Sequence, residues 1–114
     1  MDADDRQFLL TTAWLFARHG QPSRARLMCE ALVEADPKDG VSAAALAELL
    51  LSDGEGDAAL RVLQMAEFPE ELTRAEAILE TRALAMIGRK SDSVKRWNRY
   101  IESRKGANRN WVSE

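Results

Sequence analysis

The chain has 114 residues, 46% of them hydrophobic and 31% charged, with a net charge of -3; this is the profile of one soluble domain, not of a fibre, a disordered tail or a disulfide scaffold. One cysteine, Cys29, has no internal partner. With a single histidine as well, His19, the inventory excludes a conventional structural zinc site and any mechanism that needs two Cys or His groups. A core of this size needs no metal or cross-link, since roughly two-thirds of the unfolded surface is buried on folding.

No run of about 18 apolar residues is present, and the start Met1-Asp2-Ala3-Asp4-Asp5 is acidic where a secretory signal is basic and then hydrophobic. The expectation is a cytoplasmic protein with no membrane insertion. Charge is unevenly divided: residues 1–81 carry seven basic and sixteen acidic side chains, whereas 82–114 carry nine basic and three acidic. The last third is a basic patch on an acidic protein.

Apolar residues recur at helical spacing in six segments, at about 5–19, 22–35, 41–53, 56–67, 73–87 and 91–104, and no strand pattern competes. Pro22 suits the first turn of the second segment. Thr73 and Glu76 have the spacing of a capping box at the start of the fifth. A frayed, flexible tail is predicted for 107–114, after Gly106. Three glycines set the frame: Gly20, Gly54 and Gly88 are each 34 residues apart, and the same offset pairs Ala13 with Ala47 and Ala25 with Ala59.

A period of 34 with a glycine between two helices resembles the tetratricopeptide (TPR) repeat. The first unit supplies Leu9, Ala13 and Phe16 on its first helix, Ala25 on its second, and Pro37 at its close. The second matches at Leu46, Ala47, Leu50, Ala59, Leu63 and Ala66, with Pro69 two residues early. The third matches at Leu84, Gly88 and Trp97, with Thr81 and Ser93 in place of small alanines. Small residues at 13, 25, 47 and 59 let helix axes approach to about 8–10 Å. The predicted fold is all-α: a single domain over 1–106, built from three stacked helix-turn-helix repeats (about 6–39, 40–73 and 74–106) in a short right-handed solenoid.

Such stacks curve, and one stripe of each first helix lines the hollow side. These stripes are Gln7, Leu10, Trp14 and Ala17; Val41, Ala44, Glu48 and Leu51; and Ala75, Ile78, Arg82 and Ala85. They predict a mostly apolar trough three helices wide, suited to an amphipathic partner helix. The competing reading of Trp14 is that it covers the end of the first hairpin or packs on the amino-terminal residues. TPR domains that grip acidic chaperone tails place lysine, asparagine and arginine on this stripe; here Leu10, Trp14, Ala45, Ala75 and Leu79 stand there, which argues against a carboxylate clamp.

Phe8-Leu9-Leu10, Trp14-Leu15, Gly20, Arg24-Ala25, Ala31-Leu32 and Pro37 resemble the opening repeat of the YscY (SctY) group of type III secretion chaperones, small cytoplasmic TPR proteins of bacteria. Gly88, Trp97 and Tyr100 resemble that group's last repeat, while Ser93 departs from it. The resemblance implies a non-catalytic chaperone without cofactors. Its implied partner is a small secreted protein of the SctX type, presented to the export gate SctV. Related TPR chaperones hold the needle subunit; the alternatives are such a needle-subunit chaperone or a generic TPR protein-interaction module, with a nucleic-acid-binding regulator using the basic carboxy-terminal face behind them, and the trough also allows two copies to pair when no client is bound.

The other chemistry-bearing residues read as structural. Cys29 falls on a core position, and His19 precedes a turn glycine at a helix carboxy terminus, where a cation is favoured. The acidic pairs Glu70-Glu71 and Asp4-Asp5 lie in polar stretches and lack the unlike environments that acid–base catalysis needs. No phosphate-binding glycine loop is present, so an enzyme is the least supported class. Arg89, Lys90, Lys95, Arg96, Arg99, Arg104, Lys105 and Arg109, interleaved with Trp97, Tyr100 and Trp111, read first as a charged outer face. An acidic protein partner for them ranks ahead of nucleic acid.

Overall fold

Each of the three glycines turns the chain in the same way. In the computed structural model, which describes residues 2–112 and the side chains of 2–106, Gly20, Gly54 and Gly88 have φ of 77°, 77° and 85°. That left-handed conformation is free of a Cβ penalty only for glycine. The next residue then donates its amide back to the end of the preceding helix: Gln21 to the carbonyl of Phe16 (2.7 Å), Glu55 to Leu50 (2.8 Å) and Arg89 to Leu84 (2.9 Å). Donors and acceptors both step by 34 residues. The same closing bond satisfies the orphan carbonyls of three separate helices.

The described residues form six α-helices: α1 (Ala3–Arg18), α2 (Pro22–Ala35), α3 (Gly40–Ser52), α4 (Gly56–Met65), α5 (Thr73–Met86) and α6 (Lys90–Val112). A 3-10 turn, Glu70–Leu72, precedes α5. Among the described residues there are no strands, and one isolated parallel bridge joins Asp39 to Glu67. Asp2 caps α1 through its carboxylate, 2.8 Å from the Asp5 amide, and Asp4 and Asp5 add negative charge to the positive end of the helix dipole. Each helix packs against its neighbour in sequence, and α3 packs also against α5. The radius of gyration is 15.4 Å, against roughly 13 Å for a chain of this length, and α6 alone is 23 residues long.

The core follows the small residues. Ala25, Ala43, Ala47, Ala59, Ala77 and Ala83 are wholly buried, and Leu46, Leu50, Leu60, Leu63, Leu79 and Leu84 fill the space around them. Cys29 is buried among them, and burial pushes its thiol pKa up, which fits a small core hydrophobe. Gly40 is needed for a close approach: a Cβ there would lie 2.6 Å from the carbonyl oxygen of Glu67.

Four sequence expectations need correction. First, α6 continues to Val112, past the predicted end at 104 and through most of the predicted tail; 113–114 lie outside the described residues. Second, α4 stops at Met65, two residues early, because Ala66 turns extended (ψ 156°) and the Glu67 amide bonds to the carbonyl of Lys38 at 2.9 Å; Pro69 then opens the 3-10 turn. Third, no capping box forms at Thr73. Its hydroxyl donates to the carbonyl of Glu70 at 2.9 Å, while Glu76 is half-buried beside Glu80, and burial with that neighbouring carboxylate pushes the Glu76 pKa up. Fourth, part of the basic segment is internal: Arg96 is largely buried and pairs with Glu80 at 3.1 Å. Arg89, Lys90, Lys95, Arg99, Arg104 and Lys105 are exposed and fit an outer face, while the side chains of Arg109 and Trp111 lie outside those described.

Thr81 and Ser93 occupy the positions where the first two units have alanines. Ser93 Oγ donates to the Thr81 carbonyl at 2.8 Å, whereas Thr81 Oγ1 is buried without a partner. An orphaned buried hydroxyl costs about 1–3 kcal/mol. Thr81→Ala should therefore raise stability by about 1 kcal/mol, measured by chemical denaturation. Ala25→Leu should cost about 1–3 kcal/mol by overpacking the α1–α2 contact, and an unchanged melting temperature would contradict close packing at Ala25.

Candidate functional site

On α1, residues 10, 14 and 17 follow one another at three- and four-residue steps, so they form a single stripe. Beside that stripe lies a cavity of about 190 Å³, lined by Leu10, Ala13, Trp14, Ala17, Cys29, Ala45, Glu48 and Leu49. Its walls are α1 and α3, and Cys29 of α2 reaches its floor. Every lining residue but Glu48 is apolar. Trp14 remains 58% exposed at the rim, with the Arg18 guanidinium 5.0 Å from its ring centroid, a cation–π contact. Trp14 is therefore not a core residue, and its indole is available at the mouth of an apolar recess.

The predicted stripe is only partly assembled. Leu10, Trp14, Ala17 and Glu48 line the cavity together. Gln7 and Val41 are exposed nearby on α1 and α3, while Ala44 is half-buried against the core. Leu51 is a correction: at 3% exposure it belongs to the core and not to any groove. The reason is that α3 packs against α2, α4 and α5 at once. Its sequence, Gly-Val-Ser-Ala-Ala-Ala-Leu-Ala-Glu-Leu-Leu-Leu-Ser, has one charged residue, the composition of a helix enclosed on most sides. Ala45 and Leu49 line the recess in place of Ala44 and Leu51, and a count of helix faces that allowed for these neighbours finds them.

On α5, Ala75 and Ile78 are half-buried and Arg82 and Ala85 exposed. The expected three-helix trough is not apolar along its whole width. Residues 14, 48 and 82 share one register position, and Arg82 reaches back across one unit to grip Glu48, at 3.0 and 3.1 Å from its two carboxylate oxygens. The recess lies between α1 and α3, and an ion pair spans α3 and α5. Both side chains are about half exposed, so the pair adds little stability; its effect is to make the surface between α3 and α5 polar.

The two helices that wall the recess are also joined by a polar link that apolar patterning did not reveal. Asp39 caps α3, accepting from the Val41 amide at 3.1 Å and from Ser42 Oγ at 2.7 Å. The Arg6 guanidinium of α1 binds both its oxygens, with Nη2 at 2.8 Å from Oδ1. A capping aspartate before an apolar run is a readable start signal, but its partner 33 residues away is not. The Arg6 contact holds the Asp39 carboxyl down to about 2 and raises the guanidinium in turn. Arg26 joins Glu30 (2.7 Å), Asp53 (2.9 Å) and Glu55, tying α2 to the α3–α4 turn.

Among the described residues no group of three or more His, Cys, Asp or Glu side chains is placed to hold a metal ion, and no helix is long and apolar enough to cross a membrane. His19 is the C-cap residue of α1, and the Glu70–Glu71 and Asp4–Asp5 pairs are exposed. Trp97 and Tyr100 are half-buried with ring centroids 5.3 Å apart. No family model matches the chain, and no curated protein matches it.

The Asp39 geometry predicts an acid limb. A carboxyl whose pKa is lower in the folded state stabilises the fold fully above its unfolded value near 4, and that contribution is lost as pH falls from about 4 towards 2. Glu76 has the opposite sign, since a raised pKa makes the fold take up a proton more readily. Asp39→Asn should lower stability at neutral pH and flatten the decline below pH 4; denaturation midpoints across pH 2–7 measure both.

Proposed function

We propose that the protein is a TPR-like chaperone of bacterial type III secretion, working in the cytoplasm, whose client is a small secreted protein of the SctX type. The client docks an apolar helix on the hollow side and is kept soluble until it reaches the export gate. One observation carries this reading: an apolar recess of about 190 Å³ with a tryptophan 58% exposed at its mouth. A soluble protein does not leave such a surface open without reason, because covering one large side chain is worth roughly 1.5–3 kcal/mol. The volume suits one bulky apolar side chain, being comparable with the roughly 150 Å³ cavities that take up benzene.

The arrangement also supports an amphipathic ligand. An amphipathic helix laid across α1 and α3 places its anchor beside Leu10, Ala17 and Ala45, and its polar flank over the Glu48–Arg82 pair. Binding by this route needs no chemistry from the chaperone and no cofactor. Support for the repeat architecture comes from the closing hydrogen bonds that recur every 34 residues, and from the resemblance of the first unit to the SctY group.

Co-expression with an SctX-type protein should give a one-to-one complex that is nearly indifferent to salt, unlike a charge-driven complex. Trp14→Ala should weaken it by about 2 kcal/mol, roughly thirtyfold, while moving the melting temperature little. Titration calorimetry with thermal denaturation reads both. A variant that unfolds instead, with normal binding by its folded fraction, would overturn the assignment of the recess.

A further inference from the structure

The 34-residue register allows each helix to be compared with its counterparts, and two faces stand out because their counterparts are covered. On α1, Phe8 is 68% exposed and Leu15 is exposed as well. The corresponding residues of α3 are Ser42, at 0%, and Leu49, partly buried against the core. On α6, Val94 is 59% exposed, whereas its counterpart on α4, Leu60, is at 6%. Where α4 meets α5 the contact is direct: a Cβ on Gly56 would lie 2.9 Å from Ile87 Cγ2 and 3.1 Å from Met86 Cβ. The start of α4 thus lies against the end of α5, and the two helices run antiparallel.

We propose that these two faces meet in a second copy of the chain: the outer face of α6 in one molecule packs on the outer face of α1 in the next, repeating the α4–α5 contact between molecules. In that antiparallel register Val94 falls beside Leu15, and Ile101 beside Phe8. Charge complementarity selects this occupant. Lys105 and Arg104, exposed at the far end of the α6 stripe, come to Asp4 and Asp5, exposed at the start of α1. The opposed charge balance of residues 1–81 and 82–114 has the same sense. At the other end of the junction Lys90 approaches Arg18, whose guanidinium lies over the Trp14 ring; this end contributes no attraction and keeps the association weak. The contact is head to tail, so it does not close after two copies and leaves the recess between α1 and α3 free.

Sedimentation velocity on the wild-type protein across a wide concentration range should show reversible growth beyond a dimer, weakening as salt is raised. Phe8→Lys spoils only the α1 face and Val94→Glu only the α6 face, and circular dichroism checks that both remain folded. Each variant alone should stay monomeric, and the two mixed should form a one-to-one dimer, because each still offers the face the other lacks. A wild-type protein that is monomeric throughout would overturn the proposal. So would two monomeric variants that remain monomeric when mixed, or association that survives both substitutions but is abolished by Trp14→Ala, which would assign the pairing to the recess. None of these outcomes depends on the client reading, which the calorimetric test of Trp14→Ala decides separately.

Discussion

The architecture depends on how closely neighbouring helices approach, and that is set by alanine. Ala25, Ala47 and Ala59 are wholly buried and Ala13 nearly so, each at a position where two helices cross. Shorter side chains allow smaller interaxial distances, and the leucines beside them then fill the remaining space at interior density. The third unit shows what happens when the rule is relaxed. Thr81 and Ser93 are slightly larger and polar, and the result is one hydrogen bond, from Ser93 Oγ to the Thr81 carbonyl, and one orphaned hydroxyl.

The recess follows from the same constraint. Ala13, Ala17 and Ala45 are too short to fill the space between α1 and α3, and Leu10, Leu49 and Trp14 surround what they leave. Arg6 and Asp39 join the amino-terminal ends of the same two helices, outside the residues that line the recess. Between α3 and α5, Glu48 and Arg82 stand in the 34-residue register of Trp14 and pair with each other. This surface is therefore asymmetric, apolar between α1 and α3 and polar where the ion pair joins α3 to α5.

Helix existence and turn position were legible because both have local causes. Gly20, Gly54 and Gly88 mark positions that demand positive φ, Pro22 marks a first turn, and the apolar spacing marks each helical face. The exposure of Trp14 was legible as well, since it sits one step from the crossing alanine. Leu51 misled because its face was assigned from α3 alone, while the burial of that helix depends on three neighbours. Thr73 and Glu76 misled because a capping pattern fixes a spacing but not which of two nearby residues begins the helix; the 3-10 turn after Pro69 had already engaged Thr73. Arg96 read as solvent-facing until Glu80 of α5 was brought beside it.

The sequence by itself determined six helices, three glycine turns and a repeated small-residue pattern, because hydrophobic periodicity and left-handed backbone need only local information. The tertiary structure decided which stripe was free and which enclosed, where the apolar recess ends, and which charges meet across 33 or 34 residues. Burial is a property of a face together with everything packed on it, and a pair of charges forms only where the fold brings distant helices within reach. Neither quantity is written in any single helix.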